Sequence, residues 1–436
     1  MKLAAMALAG ALFHGGHGFH VVSARWLDPR LVAVTVTTAA LPEAANVRIL
    51  LPAGYATHPR QRYPVLYLLH GTSGGAADWT VRGGAEQTTA GQSLIVVMPD
   101  IALHDNGGGW CTNWYNGGAG GPPEWETFHI DQLIPWVDAN LRTVAARAGR
   151  AIAGLSQGGF CAMSYAARHP DLFTTAASFS GAPDIAYDLE AQLLVSPIIG
   201  ATETGLDGAP LNSMFGDRLS QELNWAAHDP TTLAANLRGM KLLLYAGNGF
   251  PGPLDLGVDL GASAIEGGAG MLTQLLHNRL DQLGIPSYYD DYGPGTHTWP
   301  YWTRDLRQAI GPIMAGFAGH SVPRPVTYTS ADARYSVFGW RVSLTRAVRE
   351  MSTLSRASAA GFVLSGSGSA TVTTPAVYRR RRRYRLVVGG RALFLHAGRS
   401  RRLTVSVPLG PSNTTQQYAP LASTHVYTTT VRIGFP

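Results

Sequence analysis

Apolar residues in this chain fall into short runs at two spacings. Residues 31–38 and 46–52 alternate apolar with polar positions, the period of strands with one buried face, and suit an antiparallel pair. Residues 63–70 and 94–98 are nearly unbroken apolar runs, as expected of strands covered on both faces. Residues 125–141 carry apolar positions at helical spacing. The run 151–155 predicts a strand passing through a glycine-rich turn into a helix over 161–168, which ends before Pro170. Further strands are expected at 176–180, 241–245 and 287–292, with a helix at 271–283. Strands alternating with helices in this way predict an α/β fold, a mostly parallel sheet with helices on both faces. Residues 183–240 break the rhythm and read as a lid or as helices packed beside the sheet.

The pattern changes after a Pro-containing linker at 319–325. Beyond it, strands are expected at 369–374, 384–388, 393–397, 403–407 and 426–433, separated by Gly and Pro turns, which predicts a small all-β domain, a sandwich. The expected division is a segment 1–20, an α/β domain 21–318 and a β-rich domain 319–436. Charge follows the same division. Residues 319–436 hold 17 arginines against Asp332 and Glu350, about +15, while the preceding residues hold 17 basic and 26 acidic side chains, about −9. Hydrophobic content of 45% and charged content of 14% describe a globular chain and exclude a disordered one. No apolar run is long enough to cross a membrane as a helix.

Smaller features add expectations. Lys2 followed by an apolar run to Phe13 outlines a short secretory signal, so export is expected, to the medium or the cell wall. Cys111 and Cys161 cannot make a disulfide framework; Cys161 lies on an apolar helix face and reads as core packing, with a single bridge as the alternative. His14, His17 and His20 have no nearby carboxylate or cysteine, so no metal is called for, and no cofactor. Five consecutive arginines, Arg379, Arg380, Arg381, Arg382 and Arg383, read as a solvated turn or as an adhesive patch for an anionic surface or polymer. No nucleic-acid motif accompanies them, so a specific nucleic-acid partner is not expected.

The chemistry centres on Gly154-Leu155-Ser156-Gln157-Gly158 between a strand and a helix. That context is the nucleophile elbow, in which a strained turn lifts the serine hydroxyl above the sheet edge at a helix N-terminus. A serine needs a base, and the base needs an orienting carboxylate. His297, in a glycine-rich loop after a strand, is the expected base; His277 falls inside a helix. Asp255, Asp259 and Glu266 are all candidates for the acid on the residues alone. The two oxyanion donors are expected from the backbone N–H groups of Gln157 and Thr72. Trp79, Trp110, Trp114, Trp299 and Trp302 lie in loops at strand ends and are candidates to line a substrate pocket.

Several motifs carry a resemblance: Tyr67-Leu68-Leu69-His70-Gly71, Trp125-Glu126-Thr127-Phe128, Gly154-Leu155-Ser156, Gly247-Asn248-Gly249 and Gly295-Thr296-His297-Thr298-Trp299-Pro300-Tyr301-Trp302. Over about residues 34–314 they resemble the α/β-hydrolase esterases that include the antigen 85 mycolyltransferases and the esterase D-type carboxylesterases. The resemblance implies Ser156 as nucleophile, His297 as base and Glu266 as acid, with Thr72 and Gln157 as oxyanion donors. The mycolyltransferases carry an aspartate at the position of His70 and an arginine where this chain has Ser73-Gly74-Gly75. These positions help form their acyl and sugar sites, which makes His70 a substrate-binding candidate and argues against mycolyl transfer. They also lack the C-terminal β domain, so the resemblance is nearest to exported actinobacterial esterases of the family. The expectation is a serine carboxylesterase working through an acyl-enzyme. The alternatives are an acyltransferase to a sugar or glycerol hydroxyl, and a non-catalytic binding protein with a degenerate hydrolase domain.

Overall fold

The structure is a computed structural model that describes residues 13–104, 106–319 and 322–434. Its first part is built on a nine-stranded sheet in the order β1-β2-β3-β5-β4-β6-β7-β8-β9. β1 (His20–Trp26), β2 (Leu31–Thr37) and β3 (Ala45–Leu50) form an antiparallel end that joins β5 (Ile95–Pro99). From there β4 (Val65–Leu69), β6 (Arg150–Leu155), β7 (Thr175–Phe179), β8 (Lys241–Ala246) and β9 (Tyr288–Asp291) run parallel. Every residue of β4, β5, β6 and β7 is buried, which is why those runs do not alternate.

Strand periodicity sends neighbouring side chains to two separate cores. Val65, Tyr67 and Leu69 join Trp136, Phe160 and Leu276 on one face. Leu66 and Leu68 join Trp302, Leu306 and Ile310 on the other. The helices that frame the site are α1 (Gln157–Arg168), α2 (Leu189–Ala201), α3 (Glu222–His228), α4 (Leu260–Gln282) and α5 (Trp299–Ala318). The irregular stretch 183–240 therefore contains helices. α4 starts eleven residues before its expected 271, because glycines at 261, 267, 268 and 270 dilute its apolar pattern. α5 was not expected at all.

The structure bears on two expectations. Residues 1–12 of the expected export segment lie outside the described residues, but its remainder is folded. Phe13 and Phe19 are buried against Trp136 and Phe128, and the Trp136 indole N–H donates to the His14 carbonyl at 2.7 Å. Cys161 is also more than packing: it forms a disulfide with Cys111, which ties the loop carrying Trp110 to the second turn of α1.

The β-rich part contains a six-stranded sheet in the order β10 (Val326–Ser330), β13 (Ser352–Ser358), β14 (Gly361–Gly366), β19 (Tyr427–Gly434), β16 (Arg383–Val388) and β17 (Arg391–His396). A four-stranded sheet runs in the order β11 (Arg334–Val337), β12 (Trp340–Thr345), β15 (Ser369–Thr373) and β18 (Thr404–Pro408), and both sheets are antiparallel. Their inner faces share one core that includes Trp340, Phe362, Leu386 and Val405. β10 to β14, spanning 326–366, were not foreseen. This unit docks on the first through Asn236, which exchanges hydrogen bonds with the Thr329 backbone at 2.8 and 2.9 Å, and through a small apolar cluster of Leu223, Ala227 and Ala331. Tyr328 donates to the Arg168 carbonyl at 2.6 Å, and the Arg168 guanidinium lies 3.6 Å from Asp332.

Candidate active site

Ser156 ends the central strand β6 and precedes α1 with φ 52° and ψ −125°, a strained conformation for a residue bearing a Cβ. Two glycines make the turn feasible. A Cβ on Gly158 would stand 2.1 Å from the His70 carbonyl oxygen, and one on Gly154 would stand 2.2 Å from that of Gly158. The chain crosses so tightly that only glycine fits either position.

His297, in the loop after β9, brings Nε2 to 2.8 Å from Ser156 Oγ and Nδ1 to 2.8 Å from Glu266 Oε2. Glu266 is fully buried on the second turn of α4. Its other oxygen, Oε1, accepts from the Gly247 N–H at 2.7 Å, the Ser180 hydroxyl at 2.9 Å and the Tyr292 hydroxyl at 3.1 Å. Burial, followed by the neighbouring Glu266 charge, pushes the Tyr292 hydroxyl far above its usual range, so it stays a donor. The Trp302 indole N–H donates to Ser180 Oγ at 3.2 Å, and its ring stands edge-on to His297. Thus one carboxylate oxygen is saturated by three donors and the other is left for the imidazole.

The rival acids are occupied elsewhere. Asp255 accepts from the Gly252 N–H at 2.7 Å, from Tyr301 at 2.8 Å and from Thr296 beside His297. Asp259 caps α4 by accepting from the Ala262 N–H at 2.9 Å. His277 bonds Ser287 at 3.0 Å, away from the serine.

Thr72 and Gln157 both line the cavity beside Ser156. The Gln157 side chain is oriented so that its nitrogen donates to Thr72 Oγ1 at 2.6 Å, while its oxygen accepts from the Gly109 and Trp110 N–H groups at 3.1 and 2.5 Å. The loop of Thr72 and the N-terminus of α1, which carry the expected oxyanion donors, are therefore clamped together. Ser156 and His297 lie between two cavities. One, of about 270 Å³, is mainly apolar and lies between α2 and α4, with Trp110, Leu194, Ile198, Ile265 and Leu272 in its wall. The other, of about 470 Å³, opens past Gly74, Asp78, Arg82 and Trp299.

Not every expected pocket residue reaches these cavities. His70 is buried behind the loop: its Nε2 accepts from the Ile101 N–H at 3.0 Å and its Nδ1 donates to the Gly71 carbonyl at 2.7 Å. Trp79 is buried with its N–H on the Leu69 carbonyl at 2.8 Å, and Trp114 with its N–H on that of Gly109 at 3.2 Å. These three shape loops instead of touching substrate space. Trp110 and Trp299 do line cavities, and Trp302 is wedged between the second cavity and Ser180. Sequence reasoning missed Ser180 and Tyr292. Each directly follows the C-terminal end of a parallel strand, β7 or β9, where functional groups of such sheets gather, and that position is the signal that could have found them. Among the described residues no three His, Cys, Asp or Glu side chains converge as a metal site.

The sequence profile of the family described as Esterase matches residues 38–313, which takes in the elbow, Glu266 and His297. The chain belongs to this esterase family. Among curated relatives, Esterase Rv1288 of Mycobacterium tuberculosis is 34% identical over 291 residues, 65% of this chain and 59% of the relative. The chain thus spans under two thirds of that relative's length. Diacylglycerol acyltransferase/mycolyltransferase Ag85B of Mycolicibacterium smegmatis is 30% identical over 255 residues, covering 55% of this chain and 72% of the relative. The crystal structure of Mycobacterium tuberculosis MPT51 superposes with a TM-score of 0.51 at 26% identity, covering 65% of this chain and 97% of that one. The shared fold is the α/β hydrolase, with an antiparallel β unit added beyond the family match.

Proposed function

We propose that this esterase-family chain is a serine carboxylesterase. The observation that carries the reading is the relay from Ser156 Oγ through His297 to a buried Glu266, each link 2.8 Å long, at a strained strand-to-helix turn. In the proposed reaction His297 Nε2 takes the Ser156 proton as Oγ adds to the ester carbonyl. The Thr72 and Gln157 N–H groups hold the resulting oxyanion, each worth roughly 3 kcal/mol in the transition state. Glu266 keeps the Nδ1–H tautomer and stabilises the imidazolium. The alkoxide leaves with the proton from His297, giving an acyl-enzyme and free alcohol. Water then gives its proton to His297 and attacks the acyl carbon; the acid leaves, and the proton returns to Ser156. The acyl group occupies the apolar cavity between α2 and α4.

The kinship with Ag85B, named an acyltransferase, favours a second reading in which an alcohol replaces water in the last step. Turnover of p-nitrophenyl acetate and butyrate, with and without glycerol, tests both. Hydrolysis gives nitrophenol and free acid, and transfer gives a new glycerol ester. A fluorophosphonate should label the wild type and leave Ser156→Ala unlabelled; equal labelling of both discards the assignment.

Two proposals concern setting. The Cys111–Cys161 disulfide suits an oxidising compartment, which supports export. The exposed turn Arg379–Arg383 acts, in our reading, as an adhesive patch for an anionic surface or polymer, supported by the absence of acidic neighbours in its sequence.

A further inference from the structure

The lips of the apolar cavity carry uncovered apolar side chains. On one lip, α2 exposes Leu193 and Ile198. On the other, the loop before α4 and its first turns expose Phe250, Leu256, Leu260 and Ile265; Leu256 is 107% and Leu260 78% exposed. Ile198 and Ile265 belong to both environments, since each is half-exposed and each lines the cavity beside Ser156. Through these two residues the exposed apolar positions of both elements reach the site. Soluble proteins rarely present contiguous apolar surface of this kind unless something covers it.

Charge narrows what covers it. Residues 250–265 hold no lysine or arginine, and their two acids are turned onto the protein itself, Asp255 to Gly252, Thr296 and Tyr301, Asp259 to Ala262. α2 contributes one charge, Glu190. An anionic headgroup would find no cation on either lip, whereas an uncharged ester phase asks for none. The run of adjacent arginines, Arg379–Arg383, lies in the other unit.

We propose that this rim seats the enzyme on an aggregated, uncharged ester, a droplet or film, so that substrate enters the cavity without crossing water. The proposal rests on the esterase reading and adds how substrate is presented. Apolar side chains that stand in water would be buried in the ester phase, which supplies the hydrophobic drive for docking.

The test uses the full chain and the double variant Leu256→Ser/Leu260→Ser, which alters neither the serine relay nor the cavity wall. On tributyrin, the wild-type rate should break upward as the ester passes its solubility limit and droplets form. The double variant should lose on the order of tenfold on droplets, from two large apolar side chains no longer buried there. It should keep p-nitrophenyl acetate turnover within about twofold, as for surface changes remote from the chemistry. A droplet rate with no break, or one equal in both proteins, overturns the proposal. So does a dimer in sedimentation that the double variant dissolves, because then a second copy covers the rim. Flotation of Ser156→Ala protein with tributyrin droplets needs no turnover. Co-flotation that Leu256→Ser/Leu260→Ser abolishes upholds the rim even if p-nitrophenyl acetate is never cleaved and the esterase reading falls; flotation that the double substitution does not change removes it.

Discussion

Around the nine-stranded sheet, the charges that matter are buried and partnered, while those of the β-sandwich stand mostly in water. Glu266 is fully buried and holds four hydrogen-bond partners, and Glu126 is buried with Arg168, His169 and His228 around it. In the sandwich, Glu350 is buried and takes a hydrogen bond from the Ser367 N–H, Asp332 is engaged with Arg168, and Arg379–Arg383 are exposed. A buried charge fixes geometry because its alternatives cost so much; an exposed one exerts a field without fixing anything. The first unit is accordingly suited to chemistry, and adhesion by the second is what we propose for it.

The sharpest break of this contrast is at Glu266. Glu266→Gln should lower kcat on a soluble ester on the order of 10⁴-fold, as for the acid of a serine relay. Asp255→Asn should cost less than about tenfold, since it only loosens the loop holding His297. Progress curves for the two variants decide it, and a collapse in Asp255→Asn with Glu266→Gln near normal would relocate the acid. A smaller effect is expected one layer out. Ser180→Ala and Tyr292→Phe each remove one donor to Glu266 Oε1, and a hydrogen bond to a charged group is worth about 1.5–3 kcal/mol. Each should lower kcat by roughly ten- to a hundredfold with KM unchanged; a change confined to KM would make them pocket residues.

What the sequence disclosed follows from the same physics. The parallel strands were legible because burial on both faces leaves unbroken apolar runs such as Val65–Leu69. The elbow was legible because two glycines must flank the serine, and His297 because it sits in a loop after the last strand. Residues alone could not rank Glu266 above Asp255 and Asp259, since the ranking depends on which carboxylate α4 carries towards His297. His70, Trp79 and Trp114 were misjudged because a strand-end loop buries aromatic anchors as readily as it displays them. β10 to β14 escaped because Ser- and Thr-rich strands such as Ser352–Ser358 alternate weakly in hydropathy.

Where the two units meet, the comparison can be tested as stability. Burial alone would raise the Glu126 carboxyl, but the Arg168 charge and hydrogen bonds from His169 and His228 outweigh it and hold the group well below the usual range. A depressed carboxyl stabilises the fold fully above its unfolded value near 4.5, and the contribution is lost as pH falls through the lower folded value. Glu126→Gln should therefore destabilise at neutral pH, on the order of 3 kcal/mol for a broken buried pair, and flatten the acid limb of the stability curve. Denaturant melts between pH 3 and pH 7, about the range where such a group ionises, check both. An unchanged acid limb would show that other carboxylates govern it.

The arginines give the smallest effect on chemistry and the cleanest contrast. Cutting the chain after Phe317 is a poor test, because it uncovers Leu223 and Ala227 and strips Asp332 and Tyr328 from Arg168. Replacing Arg379, Arg380 and Arg382 with glutamine leaves that junction untouched. It also spares Arg381, whose backbone holds a left-handed conformation and bonds the Ala397 carbonyl, and Arg383, which lies 4.0 Å from the Phe394 ring centre. Turnover of a soluble ester should stay within about twofold, as for solvated surface positions. Retention on an anionic polymer should fall, and wild-type retention should itself weaken between about 0.05 and 0.5 M salt, as the screening length drops below roughly 10 Å. Retention of the wild type that ignores salt, or a variant that binds equally well, would mean that these arginines are a solvated turn and that the sandwich serves the enzyme by another face. Loss of soluble-ester turnover in the variant would be more damaging, for it would carry the sandwich's charge into the active site and end the division between the two units.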